Sequence, residues 1–172
     1  MTRHRGPVLA DTNIILECWR TGSWRALTGG YAVETVEECV IETQTGYQRR
    51  RPEQQIDETE LRSRLSGVHQ VGDPEMVAAT LRDETFAFLD LGERALWAHA
   101  LTRKDAWILC GPDKASLRFG VRMALHDQLV ALETLLDDAG HRSRIALRPA
   151  YTRDWHRTTL NDLRVSEGKE RS

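Results

Sequence analysis

Hydrophobic residues along the chain form short runs that alternate with polar turns and with stretches of helical periodicity. The first run, residues 8–10, leads directly into Asp, Thr and Asn at positions 11–13. These three residue types favour the start of a helix, so the pattern predicts a buried strand that ends at Asp11 and a helix that begins there. A second strand is predicted over residues 31–36 and a helix over residues 37–47.

Similar patterns predict the elements farther along the chain. They are a helix over residues 74–82, a strand over residues 86–91, a helix that Gly92 and Glu93 open, and a strand over residues 107–110. Leucines three and four residues apart, from Leu125 to Leu136, predict a long amphipathic helix that Gly140 ends. The polar residues 48–60 are interpreted as an exposed helix end or loop. Strand and helix therefore alternate at least four times, which predicts an α/β fold around a mostly parallel sheet.

The composition is that of one globular domain. The 172 residues have a mean hydropathy of −0.50 and a net charge of −2, and a chain of this length buries roughly two thirds of its unfolded surface. The longest apolar runs are far shorter than the roughly 18 residues of a membrane span, and no apolar region of a secretory signal is recognisable at the N-terminus. We therefore expect a cytoplasmic protein with no membrane partner, in which Cys18, Cys39 and Cys110 stay reduced.

The small net charge conceals an asymmetry. Residues 141–164 contain six arginines against Asp154 and Asp162, a local charge of +4, so the rest of the chain carries −6. The chain therefore consists of an acidic body and a basic C-terminal segment.

An acidic residue follows each of four predicted strands within a few positions: Asp11, Glu38, Glu93 and Asp113. The carboxyl ends of parallel strands lie at one edge of a sheet, so these side chains are expected to converge. Each one alone is also explained as a helix cap, because the helix dipole favours acidic residues at N-termini. Converging carboxylates repel one another unless a cation lies between them. An all-oxygen site suits Mg²⁺ or Mn²⁺, and such an ion supports hydrolysis of a phosphodiester by water.

Other catalytic or metal-binding patterns are missing from the sequence. The six histidines show no His-x3-His or His-Glu-x-x-His spacing, and no Ser-His or Cys-His arrangement is recognisable. We therefore expect neither a zinc site nor a nucleophilic side chain.

Three segments, residues 8–16, 91–96 and 113–117, resemble the signature blocks of PIN-domain nucleases in order and spacing, over roughly residues 7–140. The resemblance implies a three-layer α/β/α sandwich and a ribonuclease that depends on Mg²⁺ or Mn²⁺. Carried over residue by residue, it implies that the metal is held by the four acids Asp11, Glu38, Glu93 and Asp113, with Asn13 as a polar companion that orients Asp11 or a water. It also divides the chain into a PIN-like domain, residues 1–140, and a basic C-terminal extension, residues 141–172.

The sequence leaves alternatives for the second acidic position, for Asp127 and for the role of Pro112. Glu37 and Glu42 compete with Glu38 for the second acidic position, and Glu38 is preferred because apolar residues follow it as they usually do in the family. Asp127 is either a further acid or a solvated residue. Pro112 stands where the family often has an additional aspartate, which favours an alternative function, a catalytically inactive PIN-like module that binds nucleic acid or protein.

The partners follow from the same resemblance. We expect RNA as the substrate, with structured DNA as an alternative, and many PIN proteins are VapC-type toxins, which implies an antitoxin protein as a partner. We also expect a homodimer. Arg148, Arg153 and Arg157 are candidate phosphate contacts, with aromatic residues 151 and 155 between them for base stacking. A solvated tail, or an arm that packs on a second copy, explains the same residues, and residues 49–51 are a second arginine set with the same two interpretations.

Overall fold

The computed structural model of the chain describes residues 3–46 and 49–170. Its centre is a sheet of five strands, which are β1 (Val8–Ala10), β2 (Val33–Val36), β3 (Gly67–His69), β4 (Ile108–Cys110) and β5 (Leu129–Val130). All four neighbouring pairs are parallel, and the spatial order is β3-β2-β1-β4-β5. The predicted parallel α/β fold is confirmed.

Nine helices flank this sheet within the described ranges. They are α1 (Thr12–Thr21), α2 (Trp24–Gly30), α3 (Glu37–Gln44), α4 (Glu58–Arg64), α5 (Asp73–Thr80), α6 (Leu91–Ala100), α7 (Lys114–Arg122), α8 (Leu132–Asp138) and α9 (Arg153–Glu170). Short 3-10 turns lie between them, among them Pro52–Gln54, Glu84–Phe88, His126–Gln128 and Pro149–Tyr151.

The helices lie in two layers because the strands alternate their side chains between two faces. Val8 and Ala10 of β1 belong to one buried cluster, which includes residues of α1, α2 and α8. Leu9, between them in sequence, belongs to a second cluster, which includes residues of α6, α7 and α9. This period of two is typical of a strand whose faces are both covered, and it produces the three-layer α/β/α sandwich.

Two of the predicted elements are wrong. Residues 86–91 form no strand; they continue the 3-10 turn Glu84–Phe88 into α6, because Asp83 and Asp90 each cap the backbone of the following turn. The long helix predicted from the leucine spacing is also absent, since Leu129 lies in strand β5 and the chain turns at Ala124, which has a φ of 59°. Gly140 does follow the end of α8 with a left-handed φ of 72°, as predicted.

The C-terminal segment adds a long helix to one layer. Helix α9 packs against α7, and Leu163 is buried in the cluster on that face. Glu167 pairs with Arg118 and Arg122 of α7. None of the helices in the described ranges combines the length and apolar character that crossing a bilayer requires.

Candidate active site

The strand order reverses between β1 and β4, and the position beyond the carboxyl ends of these two strands is called the crevice below. The chain runs outward from β1 to β2 and β3, then returns to β4 on the other side of β1. In open parallel sheets, ligands bind at such a reversal of strand order. Asp11 follows β1 and Asp113 follows β4 after two residues, so two of the four predicted acids flank this position.

Asp11 has one carboxylate oxygen engaged and one without a partner. It caps α1, with Oδ1 accepting a hydrogen bond of 2.9 Å from the backbone N–H of Ile14. Oδ2 is buried and has no hydrogen-bond partner in the protein, and the residue is only 3% exposed to water. A buried oxygen in this condition is costly unless a cation or a proton satisfies it.

Glu93 is held in the first turn of α6 by a reciprocal contact with Asp90. The backbone N–H of Glu93 donates to Oδ1 of Asp90 at 2.9 Å, and the backbone N–H of Asp90 donates to Oε2 of Glu93 at 3.3 Å. This capping box fixes the Glu93 side chain in a buried position, 6% exposed. Asp90 is not among the site residues predicted above, although its spacing of three residues from Glu93 is the signal of such a box.

Asp113 caps α7 in the same way. Its Oδ1 accepts from the backbone N–H groups of Ala115 at 2.7 Å and Ser116 at 3.2 Å. Asp11, Asp90, Glu93 and Asp113 are called the acid cluster from here on.

The members of the acid cluster are close enough to disturb one another's ionisation. Burial, followed by the charges of Asp90 and Asp113, raises the pKa of Asp11 to about 7. Burial, followed by the charges of Asp113, Asp90 and Asp11, raises the pKa of Glu93 to about 8. Both carboxyls therefore resist ionisation at neutral pH unless a positive charge joins them.

Three glutamates at the start of α3 competed for the second acidic position, and the structure gives them different surroundings. Glu37 forms a two-pronged ion pair with Arg62, at 2.9 and 2.8 Å. Glu42 accepts from the Thr12 hydroxyl at 2.6 Å and from the backbone N–H of Gly92 at 2.9 Å, so it ties α1 to α6. Glu38 has a buried Oε2 with no hydrogen-bond partner. Of the three, Glu38 alone keeps an unengaged buried oxygen.

Asn13 and Asp127, two further residues considered from the sequence, have different surroundings. Asn13 is half-buried in the first turn of α1, and its backbone N–H stabilises the Asp11 carboxylate. Asp127 is solvated in the 3-10 turn His126–Gln128, with a side chain 95% exposed.

The arginines predicted to contact phosphate are exposed, and each has a carboxylate neighbour. Arg148 lies 3.9 Å from Glu17, Arg157 lies 2.9 Å from Asp154, and Arg153 pairs with Asp137. The pairs of Arg153 and Arg157 are exposed and contribute roughly 0–1 kcal/mol each, whereas the partner of Arg148, Glu17, is buried. Of the arginine set at residues 49–51, Arg50 donates to the backbone carbonyls at the C-terminal end of α3.

The basic segment approaches the acid cluster at one point. Tyr151 is buried, and the charge of Asp11 contributes, after burial, to raising the pKa of its hydroxyl. The 3-10 turn Pro149–Tyr151 therefore lies on the Asp11 side of the crevice, next to Arg148.

A second group of potential ligands lies at the opposite end of α6. Glu34, His69 and His99 each offer one ligand atom, and these atoms all lie within 4.8 Å of one another, so the group could hold a metal ion. It is the one such set of three or more in residues 3–46 and 49–170. No three members of the acid cluster, all of them described residues, have ligand atoms that lie within 4.8 Å of one another.

The donor chemistry of the acid cluster nevertheless fits a hard divalent ion. Its members offer carboxylate oxygens only, and Oδ2 of Asp11 is already desolvated. Mg²⁺ commonly binds through one or two carboxylates and keeps several of its waters, so the ligands need not all touch the ion.

Comparisons of this chain with protein-family models, with curated proteins and with solved structures give no match.

Proposed function

We propose that the chain is a PIN-like ribonuclease that depends on Mg²⁺ or Mn²⁺ and hydrolyses RNA phosphodiester bonds at the acid cluster. The observation that carries the proposal is the buried, unpartnered Oδ2 of Asp11, which lies among like charges where the strand order reverses. A cation is the partner that removes both the desolvation cost and the repulsion at once.

Asp11, Glu93 and Asp113 would hold the ion, and Glu38 is the fourth acid that we assign to it. When bound, a divalent ion supplies an activated water and neutralises charge on the phosphate. Burial and the neighbouring carboxylates make an uncompensated charge on Glu93 unfavourable, which supports placing a cation beside it. Capping by Asp90 and anchoring by Glu42 fix the direction from which Glu93 enters the crevice.

The reaction would be direct attack by water. The water oxygen bonds to phosphorus, one of its protons passes to a carboxylate of the cluster, the bond from phosphorus to O3′ breaks, and O3′ takes up a proton from the solvent. The products are a 3′-hydroxyl and a 5′-phosphate, because the ribose 2′-hydroxyl takes no part.

Basic groups near the crevice are suited to the substrate backbone. Lys114, directly after Asp113, is exposed and lines a cavity of about 400 Å³ together with Phe88 and Arg118. Arg148 precedes the 3-10 turn of Tyr151, a residue whose hydroxyl feels the charges of both Asp11 and Arg148. Lysine and arginine at these positions would lower the repulsion between an acidic crevice and a polyanion.

The experiment is cleavage of a 5′-labelled single-stranded RNA and of a DNA of the same sequence, at one fixed salt concentration. We expect cleavage of the RNA in Mn²⁺ or Mg²⁺, none in EDTA, and products that carry 5′-phosphates. Full activity in EDTA, or products with cyclic phosphates, would contradict the mechanism. Preferential cleavage of DNA would change the substrate, and RNA binding without cleavage would support the inactive binding module. The roles of toxin, antitoxin partner and homodimer remain predictions.

A further inference from the structure

Glu34, His69 and His99 come from three elements that meet at the β3 edge of the sheet. Oε2 of Glu34, on β2, lies 2.6 Å from Nε2 of His69, on β3. His99, near the C-terminal end of α6, stacks its ring on that of His69 with centroids 4.0 Å apart. The Glu34 side chain is 15% exposed and that of His69 is 33% exposed, so the group is shielded but open to small ions.

A cationic side chain already occupies the centre of this group. Nη1 of Arg103 lies 2.5 Å from Oε2 of Glu34 and 3.0 Å from Nε2 of His99. A guanidinium nitrogen only donates, so Nε2 of His99 must present its lone pair toward it. Asp105 binds the other side of the guanidinium, at 2.8 and 2.6 Å.

We propose that Glu34, His69 and His99 form a binding site for a transition-metal ion of the Zn²⁺ type, which takes the position of Arg103 Nη1. Two imidazole nitrogens and one carboxylate oxygen are the donor set of many zinc sites that keep water as a further ligand. The same set disfavours Mg²⁺, which prefers oxygen alone.

The protonation state of His99 is compatible with metal binding. Burial, with the charges of His69 and Arg103, lowers the pKa of His99 to about 4. His99 is therefore neutral at physiological pH, as an imidazole ligand has to be. Displacing Arg103 Nη1 breaks its contacts with Glu34 and His99, which lowers the affinity of the site, while the pairing of Arg103 with Asp105 can remain.

The site is separate from the acid cluster and does not depend on the proposed ribonuclease activity. Glu93 lies in the first turn of α6 and His99 near its last, about 9 Å apart along the helix axis. A metal here would join β2, the short edge strand β3 and α6, so its effect is on the stability of this edge.

The experiment is titration of the metal-free full-length chain with Co²⁺ and Zn²⁺, followed by visible absorption and calorimetry. We expect one Co²⁺ with the absorption of a nitrogen- and oxygen-ligated ion, displaced by Zn²⁺ and separate from any Co²⁺ bound at the acid cluster, and a rise in melting temperature. His69→Gln and His99→Gln should each weaken binding by more than about 100-fold, beyond the range of neighbours that do not touch the metal. His126→Gln and Asp11→Asn are matched controls and should leave the affinity unchanged.

Arg103→Gln keeps the proposal testable if a histidine variant fails to fold. Removing the competing cation should strengthen Zn²⁺ binding by about 10- to 100-fold, a gain that misfolding does not produce. Equal affinity in the wild type and both histidine variants would overturn the proposal. So would binding that requires the Arg103 substitution, or binding that Asp11→Asn abolishes.

Discussion

Gly111 lies so close to Asp11 that a β-carbon at position 111 would stand 2.8 Å from Oδ2 of Asp11. The absence of a side chain after β4 therefore keeps the unpartnered oxygen of Asp11 open. Position 111 is where β4 passes the end of β1, so the two strands set the width of the crevice together.

Gly111→Ala should push the Asp11 carboxylate or the β4 backbone out of place. We expect cleavage and Mn²⁺ affinity to fall at least about tenfold, with a loss of roughly 1–3 kcal/mol of stability from overpacking. Gly29→Ala is the matched control, because a β-carbon there meets nothing within 4 Å. Single-turnover cleavage and denaturant unfolding measure the two effects, and normal cleavage by Gly111→Ala would contradict this assignment.

Glu42→Gln should separate positioning from metal binding. The amide can accept from Gly92 but can only donate to Thr12 through its nitrogen, so two charge-assisted bonds become neutral ones and the anchor between α1 and α6 is weakened. We expect a loss of about 1–3 kcal/mol in the free energy of unfolding. Glu37→Gln removes a partly exposed ion pair and should cost less than about 1 kcal/mol.

Glu38→Gln completes this comparison on Mn²⁺ affinity. If Glu38 contacts the ion, its substitution should weaken Mn²⁺ binding without a matching loss of stability. Stability falling while affinity is retained would assign Glu38 a structural role instead.

The acid cluster should make the metal-free protein sensitive to rising pH. The raised pKa values, about 7 for Asp11 and about 8 for Glu93, exceed their unfolded values near 4. Stability is therefore lost as pH rises from about 4 through 8, where the unfolded chain ionises more readily. Melting temperatures in EDTA should fall over this range, and Mn²⁺ should reverse the fall; Asp11→Asn should flatten the EDTA curve.

A different carboxylate should act at acid pH. Although burial opposes it, Arg122 and Thr85 lower the pKa of Asp83 to about 2, below the unfolded value near 3.9. This stabilisation is present above about pH 4 and is lost as pH falls toward 2. Asp83→Asn should lower the melting temperature at pH 6 and reduce its change between pH 4 and 2. If the melting temperature of Asp83→Asn changes between pH 4 and pH 2 as much as that of the wild type, the Asp83–Arg122 pair does not contribute in this range.

The parts of the fold that the sequence predicted are those in which local signals agree. Val8–Ala10 is wholly apolar and meets capping residues at Asp11, and the structure has a buried strand and a helix at that junction. The run at residues 86–89 misled because its residues are apolar, whereas Phe86 and Leu89 are buried and Phe88 is 76% exposed. That spacing of three belongs to a 3-10 turn, and the aspartates that cap it indicate this better than hydrophobicity.

The site was only partly predictable for a related reason. Asp11 and Asp113 follow strands directly, so a parallel sheet brings them to one edge. Asp90 was not predicted because the hydrophobic pattern of residues 86–91 predicts a strand. Strand β3 was not predicted because its three residues are only half-buried and give no hydrophobic run. His69 and His99 are 30 positions apart in sequence, and nothing short of the packing of β3 beside α6 shows that their rings stack.

The most direct measurement is the single-turnover rate of RNA cleavage in Mn²⁺ by the wild type and by Asp11→Asn, with Asp127→Asn as the matched control. Asp127 is exposed and outside the acid cluster, so its substitution removes the same charge from another place. We expect the cleavage rate of Asp11→Asn to fall at least about 100-fold, because binding of the ion contributes several kcal/mol to catalysis. The rate of Asp127→Asn should be unchanged. Equal rates for the wild type and a folded Asp11→Asn variant would contradict the proposed mechanism.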